Sequence, residues 1–240
     1  MPMNLRPLEG RLALVTGGTR GIGAAIADRL AVDGARVIIT SRTAHQAAAH
    51  RHMAVDFSDR AAVDAFAASV RTEPIDILVN NAGINRIAPF SELPAADFDE
   101  ILDVNLRAAY TCCRAVVTGM RERRWGRIIN VSSVFGVVSK EGRAPYSASK
   151  FALDGMTAAL AAEVAVDGVL ANCVAPGFVE TDLTRRSLGE EGMRARAERV
   201  PIRRLAQPAE IAALAAWLAG PENTYISGQT IVIDGGFTRV

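Results

Sequence analysis

Short apolar runs rich in β-branched residues alternate with longer segments of helical pattern along almost the whole chain. The runs at residues 12–16, 37–40, 53–55, 77–80, 127–132, 170–174 and 230–234 predict strands. Residues 21–32, 60–70, 95–121, 145–166 and 208–218 are mostly rich in Ala and Leu and long enough for several helical turns. The strand runs are continuously apolar rather than alternating, the pattern of strands covered on both faces. Strand–helix alternation of this kind predicts an α/β fold, doubly wound, with about seven parallel strands flanked by helices. No internal repeat, low-complexity tract or linker interrupts the pattern, so one domain over residues 1–240 is expected. In such sheets ligands bind beyond the carboxyl ends of the strands, and the unusual residues of this chain fall there.

Composition narrows the function. Half of the 240 residues are hydrophobic, enough for a large core. The 27 basic and 26 acidic residues leave a net charge of +1, which argues against nucleic acid or an anionic membrane as the main partner. No apolar stretch reaches the length of a membrane span, and Met1-Pro2-Met3-Asn4 lacks a signal-peptide pattern. Cys112, Cys113 and Cys173 have no metal-ligand spacing, which fits reduced thiols in a cytoplasmic protein. His45, His50 and His52 fall in a short polar stretch and read as solvated loop residues, so no metal site is expected. Basic residues are almost all Arg; Lys140 and Lys150 are the only lysines.

The first strand runs into Thr16-Gly17-Gly18-Thr19-Arg20-Gly21-Ile22-Gly23 and then a helix. Glycines let the backbone approach a pyrophosphate, and the helix N-terminus offers unpaired N–H groups. A dinucleotide site also needs a residue for the adenosine ribose at the end of the second strand, about 20 residues further on. An acidic residue there would select NAD. This chain has Ser41-Arg42, a hydroxyl and a guanidinium suited to a 2′-phosphate, and Arg20 supplies a second cation. The cofactor expected is NADP(H). Further on, Tyr146 and Lys150 stand four apart at the start of a predicted helix, which puts phenol and ammonium on one face.

These motifs together resemble the short-chain dehydrogenase/reductase family, whose fold is of the Rossmann type. The resemblance covers the glycine turn, Asn80-Asn81-Ala82-Gly83, Asn105, Ser133, Tyr146 with Lys150, Pro176-Gly177 and Asp234-Gly235-Gly236. It implies that Tyr146 protonates a carbonyl oxygen while Ser133 holds it. Lys150 would lower the phenol pKa and bind the nicotinamide ribose, and Asn105 would anchor a water joining Lys150 to solvent. Gly17, Thr19, Arg20, Gly21, Ile22 and Gly23 become phosphate and ribose contacts, with Ser41 and Arg42 at the 2′-phosphate. Asp56 and Phe57 would meet the adenine, and Asn81, Ala82 and Gly83 the adenosine ribose. Pro176, Gly177, Val179 and Thr181 would meet the nicotinamide and diphosphate.

Within the family the chain is most similar to bacterial 3-oxoacyl-(acyl-carrier-protein) reductases, through Val174–Asp182 and Tyr225-Ile226-Ser227-Gly228. That implies a 3-oxoacyl thioester substrate, an acyl carrier protein as partner, and a homotetramer built on residues 145–166 and 211–236. Residues 182–200 would form a substrate lid. Arg124 matches one carrier-docking position, but Asp167 falls near the other. Lys140 and Arg143, just before Tyr146, suit an anionic substrate instead, so a sugar-like or secondary-metabolite ketone is the alternative. A non-catalytic NADP-sensing regulator is the alternative of another class. The presence of Asn105, Ser133, Tyr146 and Lys150 together favours an enzyme.

Overall fold

The computed structural model describes residues 6–43 and 49–240. Seven strands form one parallel sheet in the order β3-β2-β1-β4-β5-β6-β7. They are β1 (Leu12–Val15), β2 (Arg36–Ser41), β3 (Arg51–Ala54), β4 (Ile77–Asn80), β5 (Gly126–Val131), β6 (Val169–Pro176) and β7 (Thr230–Ile233). The helices are α1 (Gly21–Val32), α2 (Arg60–Val70), α3 (Ala95–Leu102), α4 (Ala108–Glu122), α5 (Ala144–Val164), α6 (Asp182–Ala197) and α7 (Pro208–Ala219). The chain moves outward from β1 through β2 to β3, then returns to place β4 on the other side of β1. That reversal opens a crevice between the carboxyl ends of β1 and β4.

The two-residue period of a strand divides the core between the faces. Leu12 and Leu14 of β1 join Val63 and Phe66 of α2, Val116 and Met120 of α4, and Ala161 and Val164 of α5. Ala13 and Val15 point the other way, toward Ile26 and Leu30 of α1 and Ile211 and Leu218 of α7. This is the doubly wound arrangement that the apolar runs predict. The edges differ: β3 is exposed at Arg51 and Ala54 and starts before the expected residues 53–55, and β7 is half-buried throughout. An edge strand has one paired side and less cover, so its sequence need not be apolar.

A polar row crosses the carboxyl ends of the central strands. Asn80 of β4 lies in register with Asn130 of β5, which lies in register with Cys173 of β6. Asn80 Nδ2 donates to Asn130 Oδ1 at 2.8 Å, and Asn130 Nδ2 donates to Thr157 Oγ1 of α5 at 2.7 Å. Thr157 Oγ1 donates in turn to Leu153 O and accepts from Cys173 Sγ–H. Buried polar atoms are costly unless paired, so this row seats α5 on the sheet in one register. The three cysteines are free and buried, and burial pushes the Cys112, Cys113 and Cys173 thiols up.

Two departures concern helices. The expected helix over 95–121 is broken by a π-helical turn at Asp103–Arg107. One extra residue in a turn leaves no mark on apolar periodicity, and such turns gather at functional positions. The lid segment forms α6, but Gly189 (φ 64°) breaks it into two helical pieces. Asn130→Ala would remove one of the two Asn80 Nδ2 contacts and the Asn130 donor to Thr157 Oγ1, leaving Asn80 with Cys113 Sγ and Thr157 with Leu153 O and Cys173 Sγ. Two lost buried hydrogen bonds and the space vacated come to about 2–4 kcal/mol together. For a chain of this size thermal unfolding should then shift down by roughly 5–15 °C. A wild-type melting temperature would show that the row does not seat α5.

Candidate active site

The glycine turn is held by the strand next to it. Thr16, at the carboxyl end of β1, is buried, and its Oγ1 accepts from the backbone N–H groups of Asn81 and Ala82 at 3.0 and 3.1 Å. Asn81 Nδ2 returns the contact, donating to Thr16 O and Gly17 O at 3.0 and 3.1 Å. Asn81 therefore braces the turn, a role that the motif alone does not reveal. Gly17 has φ 63° with Ala82 Cα 3.1 Å from where a Cβ would lie, and a Cβ on Gly23 would collide with Gly17 O. Across the turn, a Cβ on Gly21 would stand 3.4 Å from Thr181 Cγ2. The turn is thus a bare-backbone cradle at the start of α1 with Thr181 opposite, and it fits a pyrophosphate. Thr19 and Ile22 line the same turn, and Arg20 caps α1, exposed.

At the end of β2, Ser41 Oγ donates to Thr43 O at 2.8 Å and contacts the His52 ring nitrogen at 2.8 Å. Its hydroxyl proton is thus directed at Thr43 O here, so donating to a 2′-phosphate would require it to rotate. Arg42 is exposed and makes no ion pair among the described residues. Asp56 accepts from Ser58 N–H and Oγ–H, which with Arg42 hold its carboxyl below the usual range. Phe57 is buried edge-on against Phe66. His50 pairs with Asp28 at 2.8 Å, and His45 lies outside the described residues. Pro176 ends β6 and Gly177 N–H donates to Ile233 O, while Val179 bridges to Ala206. Thr181 caps α6, its Oγ1 accepting from Thr184 N–H.

The catalytic candidates gather where β4, β5 and β6 end. Ser133 follows β5, and its Oγ accepts from Phe135 N–H at 3.1 Å as the cap of a short 3₁₀ turn. Tyr146 and Lys150 occupy the first turns of α5. Lys150 is only 4% exposed, and its Nζ donates to Val131 O at 2.8 Å, at the end of β5. The same ammonium lies 5.7 Å from the centre of the Tyr146 ring. Burial pulls the Lys150 pKa down to about 8. For Tyr146, burial is the largest influence and raises the phenol, while a hydrogen bond from Ser133 and the charge of Arg143 pull it down. The expectation that Lys150 sets a lowered phenol pKa is corrected: here the phenol lies above its ordinary value, and the cation acting on it is Arg143.

Asn105 sits in the π-helical turn. Its Oδ1 accepts from Ile84 N–H at 2.8 Å, and its Nδ2 donates to Ile84 O and to Ser149 Oγ. Ser149 Oγ donates to Tyr146 O, so Asn105 links the loop after β4 to the catalytic turn of α5. A Cβ at Gly83 would stand 3.3 Å from Asn105 Oδ1 and 3.8 Å from Lys150 Nζ. A cavity of about 10 Å³, the size of one water, is walled by Thr16, Asn80, Asn105 and Lys150. Buried Asn80 Oδ1 has no hydrogen-bond partner among the described residues, and Asn80 lines that small space. Thr16 and Asn80 stand inside the quoted motifs without a role of their own there, and with Ser149 they prove to be supporting residues. A hydroxyl or amide closing an apolar strand is the signal that marks Thr16 and Asn80.

The chain as a whole is similar to known proteins. The family model for short chain dehydrogenases matches residues 11–192. A 3-oxoacyl-(acyl-carrier-protein) reductase of Vibrio cholerae is 42% identical over 97% of this chain and 99% of its own. An acetoacetyl-CoA reductase of Allochromatium vinosum is also 42% identical, over 94% of this chain and 98% of its own. Among solved structures, a gluconate 5-dehydrogenase of Burkholderia cenocepacia in complex with NADP and tartrate superposes with a TM-score of 0.91. It is 35% identical and the match covers 99% of this chain and 98% of that one. The chain belongs to the short-chain dehydrogenase family and is an oxidoreductase acting on a CH–OH or ketone group.

Proposed function

We propose that the protein is an NADP(H)-dependent ketone reductase in which Tyr146 is the acid. The observation that carries this reading is the convergence of Ser133, Tyr146 and Lys150 beside the bare-backbone cradle at Gly17–Gly23. A bound NADPH supplies the hydride. Ser133 and Tyr146 hold the ketone oxygen, which orients the carbonyl carbon. As that carbon becomes tetrahedral, the Tyr146 O–H bond breaks and its proton goes to the oxygen, giving the alcohol. The phenolate left behind is stabilised by the Ser133 hydroxyl and by the charge of Arg143. Gly17, Thr19, Gly21, Ile22 and Gly23 form the phosphate cradle, with Thr181 facing it. Asp56, Phe57, Asn81, Ala82 and Gly83 would flank the adenosine, and Pro176, Gly177 and Val179 the nicotinamide. NADP over NAD is supported by Arg20 and Arg42, both exposed and free of ion pairs among the described residues.

The substrate reading with most support from relatives is a short 3-oxoacyl thioester, since the named enzymes reduce such groups in carrier-bound or CoA form. Docking of an acidic carrier is weakened here because Asp167 pairs with Arg124 and Arg121, each at 2.6 Å. Two guanidinium groups answered by one carboxylate leave the Arg124 patch less basic than two unpaired arginines would be. Arg143 beside Tyr146 favours a second reading, a sugar-acid-like ketone, which the gluconate 5-dehydrogenase likeness also supports. Tyr110 on α4 and Phe151 on α5 are about half exposed, which supports a homotetramer joined through these helices. No helix of the described residues is long and apolar enough to cross a membrane.

Tyr146→Phe removes one oxygen from a well-packed ring. NADPH binding should persist while ketone turnover falls at least about 100-fold. Near-normal turnover would remove Tyr146 from the mechanism. Arg42→Ala should weaken NADPH binding by roughly ten- to a hundredfold, the loss of one charge-assisted phosphate contact. NADH binding should change little. Fluorescence titration of both cofactors reads this, and tighter NADH than NADPH binding by the unmutated protein would reverse the assignment.

A further inference from the structure

Three phenylalanines form a row beside the catalytic residues. Phe135 and Phe178 meet with ring centres 6.5 Å apart, and Phe178 and Phe237 with centres 5.0 Å apart, all edge to face. Phe135 is the residue whose N–H holds Ser133 Oγ, and Phe178 lies between Gly177 and Val179. The row therefore forms one wall of the space in which a ketone held by Ser133 and Tyr146 would lie.

Each ring carries a guanidinium. Arg143 stands 5.3 Å from the centre of Phe135, Arg196 5.7 Å from Phe178, and Arg199 5.7 Å from Phe237. Arg143 caps α5 one turn before Tyr146, and Arg196 comes from α6 beyond the break at Gly189. These two are half-buried, whereas Arg199 is exposed. Most arginines near the site are answered by carboxylates: Arg185 by Glu180, Arg204 by Glu210, Arg86 by Asp97 and Glu100. Lys140, the expected companion of Arg143, is answered by Glu141 at 3.3 Å. Neither Arg143 nor Arg196 has an ion pair among the described residues. Arginine tolerates this placement because its weakly hydrated plane stacks on aromatic faces and leaves the N–H edge free.

We propose that Arg143 and Arg196 are a receptor for a carboxylate on the substrate, so that the ketone reduced is an oxo acid. This rests on the ketone-reductase reading and, of its two substrate readings, takes the acidic one and names the carboxylate's receptor. Two guanidinium groups flanking one aromatic pair repel each other, and an anion between them turns that repulsion into two charge-assisted contacts. The electrostatics agree: burial lowers the Arg143 pKa, Tyr146 raises it in part, and the charge of Arg196 lowers it again, so the two guanidinium groups feel each other. The phenol feels Arg143 as well, so the receptor and the proton donor are neighbours. Because Arg196 belongs to α6, the same contact would hold that helix over bound substrate.

The test is NADPH oxidation with 4-oxopentanoate and 5-oxohexanoate, each beside its methyl ester. The readout is the acid-to-ester ratio of kcat/KM, which cancels general effects of a substitution on catalysis. The ratio should exceed about tenfold for at least one chain length, and should arise in KM. Arg143→Gln and Arg196→Gln should each bring it toward one, and Arg196→Lys, which keeps the charge, should restore much of it. Equal use of acid and ester at both lengths would overturn the proposal, as would a preference that survives both Gln variants. Reduction of acetoacetyl-CoA with no reduction of either oxo acid would overturn it and leave the reductase reading standing. No NADPH oxidation with any of these compounds would overturn both.

Discussion

One buried charge organises the site. The Lys150 ammonium is buried and donates to Val131 O at the end of β5, with the nearby Asp154 also favouring its charge. A charge in this position is tolerated only where geometry is held closely, because losing its acceptor would leave it unpaired in a poorly solvating interior. The rest of the structure supplies that precision. The Asn80–Asn130–Thr157 row seats α5 against the sheet, and Asn105 with Ser149 ties the first turn of α5 to the loop after β4. Thr16 fixes the same loop to the glycine turn. Cradle, acid and cation are thereby braced against one another by buried hydrogen bonds rather than by the long, exposed ion pairs of the surface.

The same constraint explains why the phenol and the ammonium are tuned as they are. Burial disfavours whichever form is charged, so it raises Tyr146 and lowers Lys150. A raised phenol stays protonated near neutral pH, which suits an acid in ketone reduction. Lys150 carries its charge below about pH 8 and loses it above, so the donor to Val131 O is an ammonium at neutral pH and a neutral amine in alkali. The cation that acts on the phenol is Arg143, whose own pKa burial also lowers.

Most of the architecture was legible because apolar runs and helical periods report burial directly. β4 and α1 agree with the pattern to the residue. The π-helical turn at Asp103–Arg107 was hidden, since one inserted residue shifts no apolar face far enough to show. The chain's own Tyr146/Lys150 spacing, with the glycine turn, pointed to the chemistry, and the order of motifs identified Ser133 and Asn105. What could not be read was who holds whom. That Asn81 braces Gly17, that Ser41 spends its proton on Thr43, and that Arg196 reaches the aromatic wall from α6 are tertiary facts. They depend on residues far apart in the chain meeting at strand ends, and no local pattern encodes them.

The buried ammonium is directly measurable because the chain has two lysines. Protein labelled with ¹⁵N at the lysine side chains should give two ε-nitrogen resonances, assigned with the Lys140→Arg variant. In a pH titration the Lys150 resonance should shift with a midpoint near 8, well below the ordinary lysine value of about 10.4. A midpoint at or above about 10 would mean that Lys150 is solvated, and would contradict the buried clamp on which this account of the site rests.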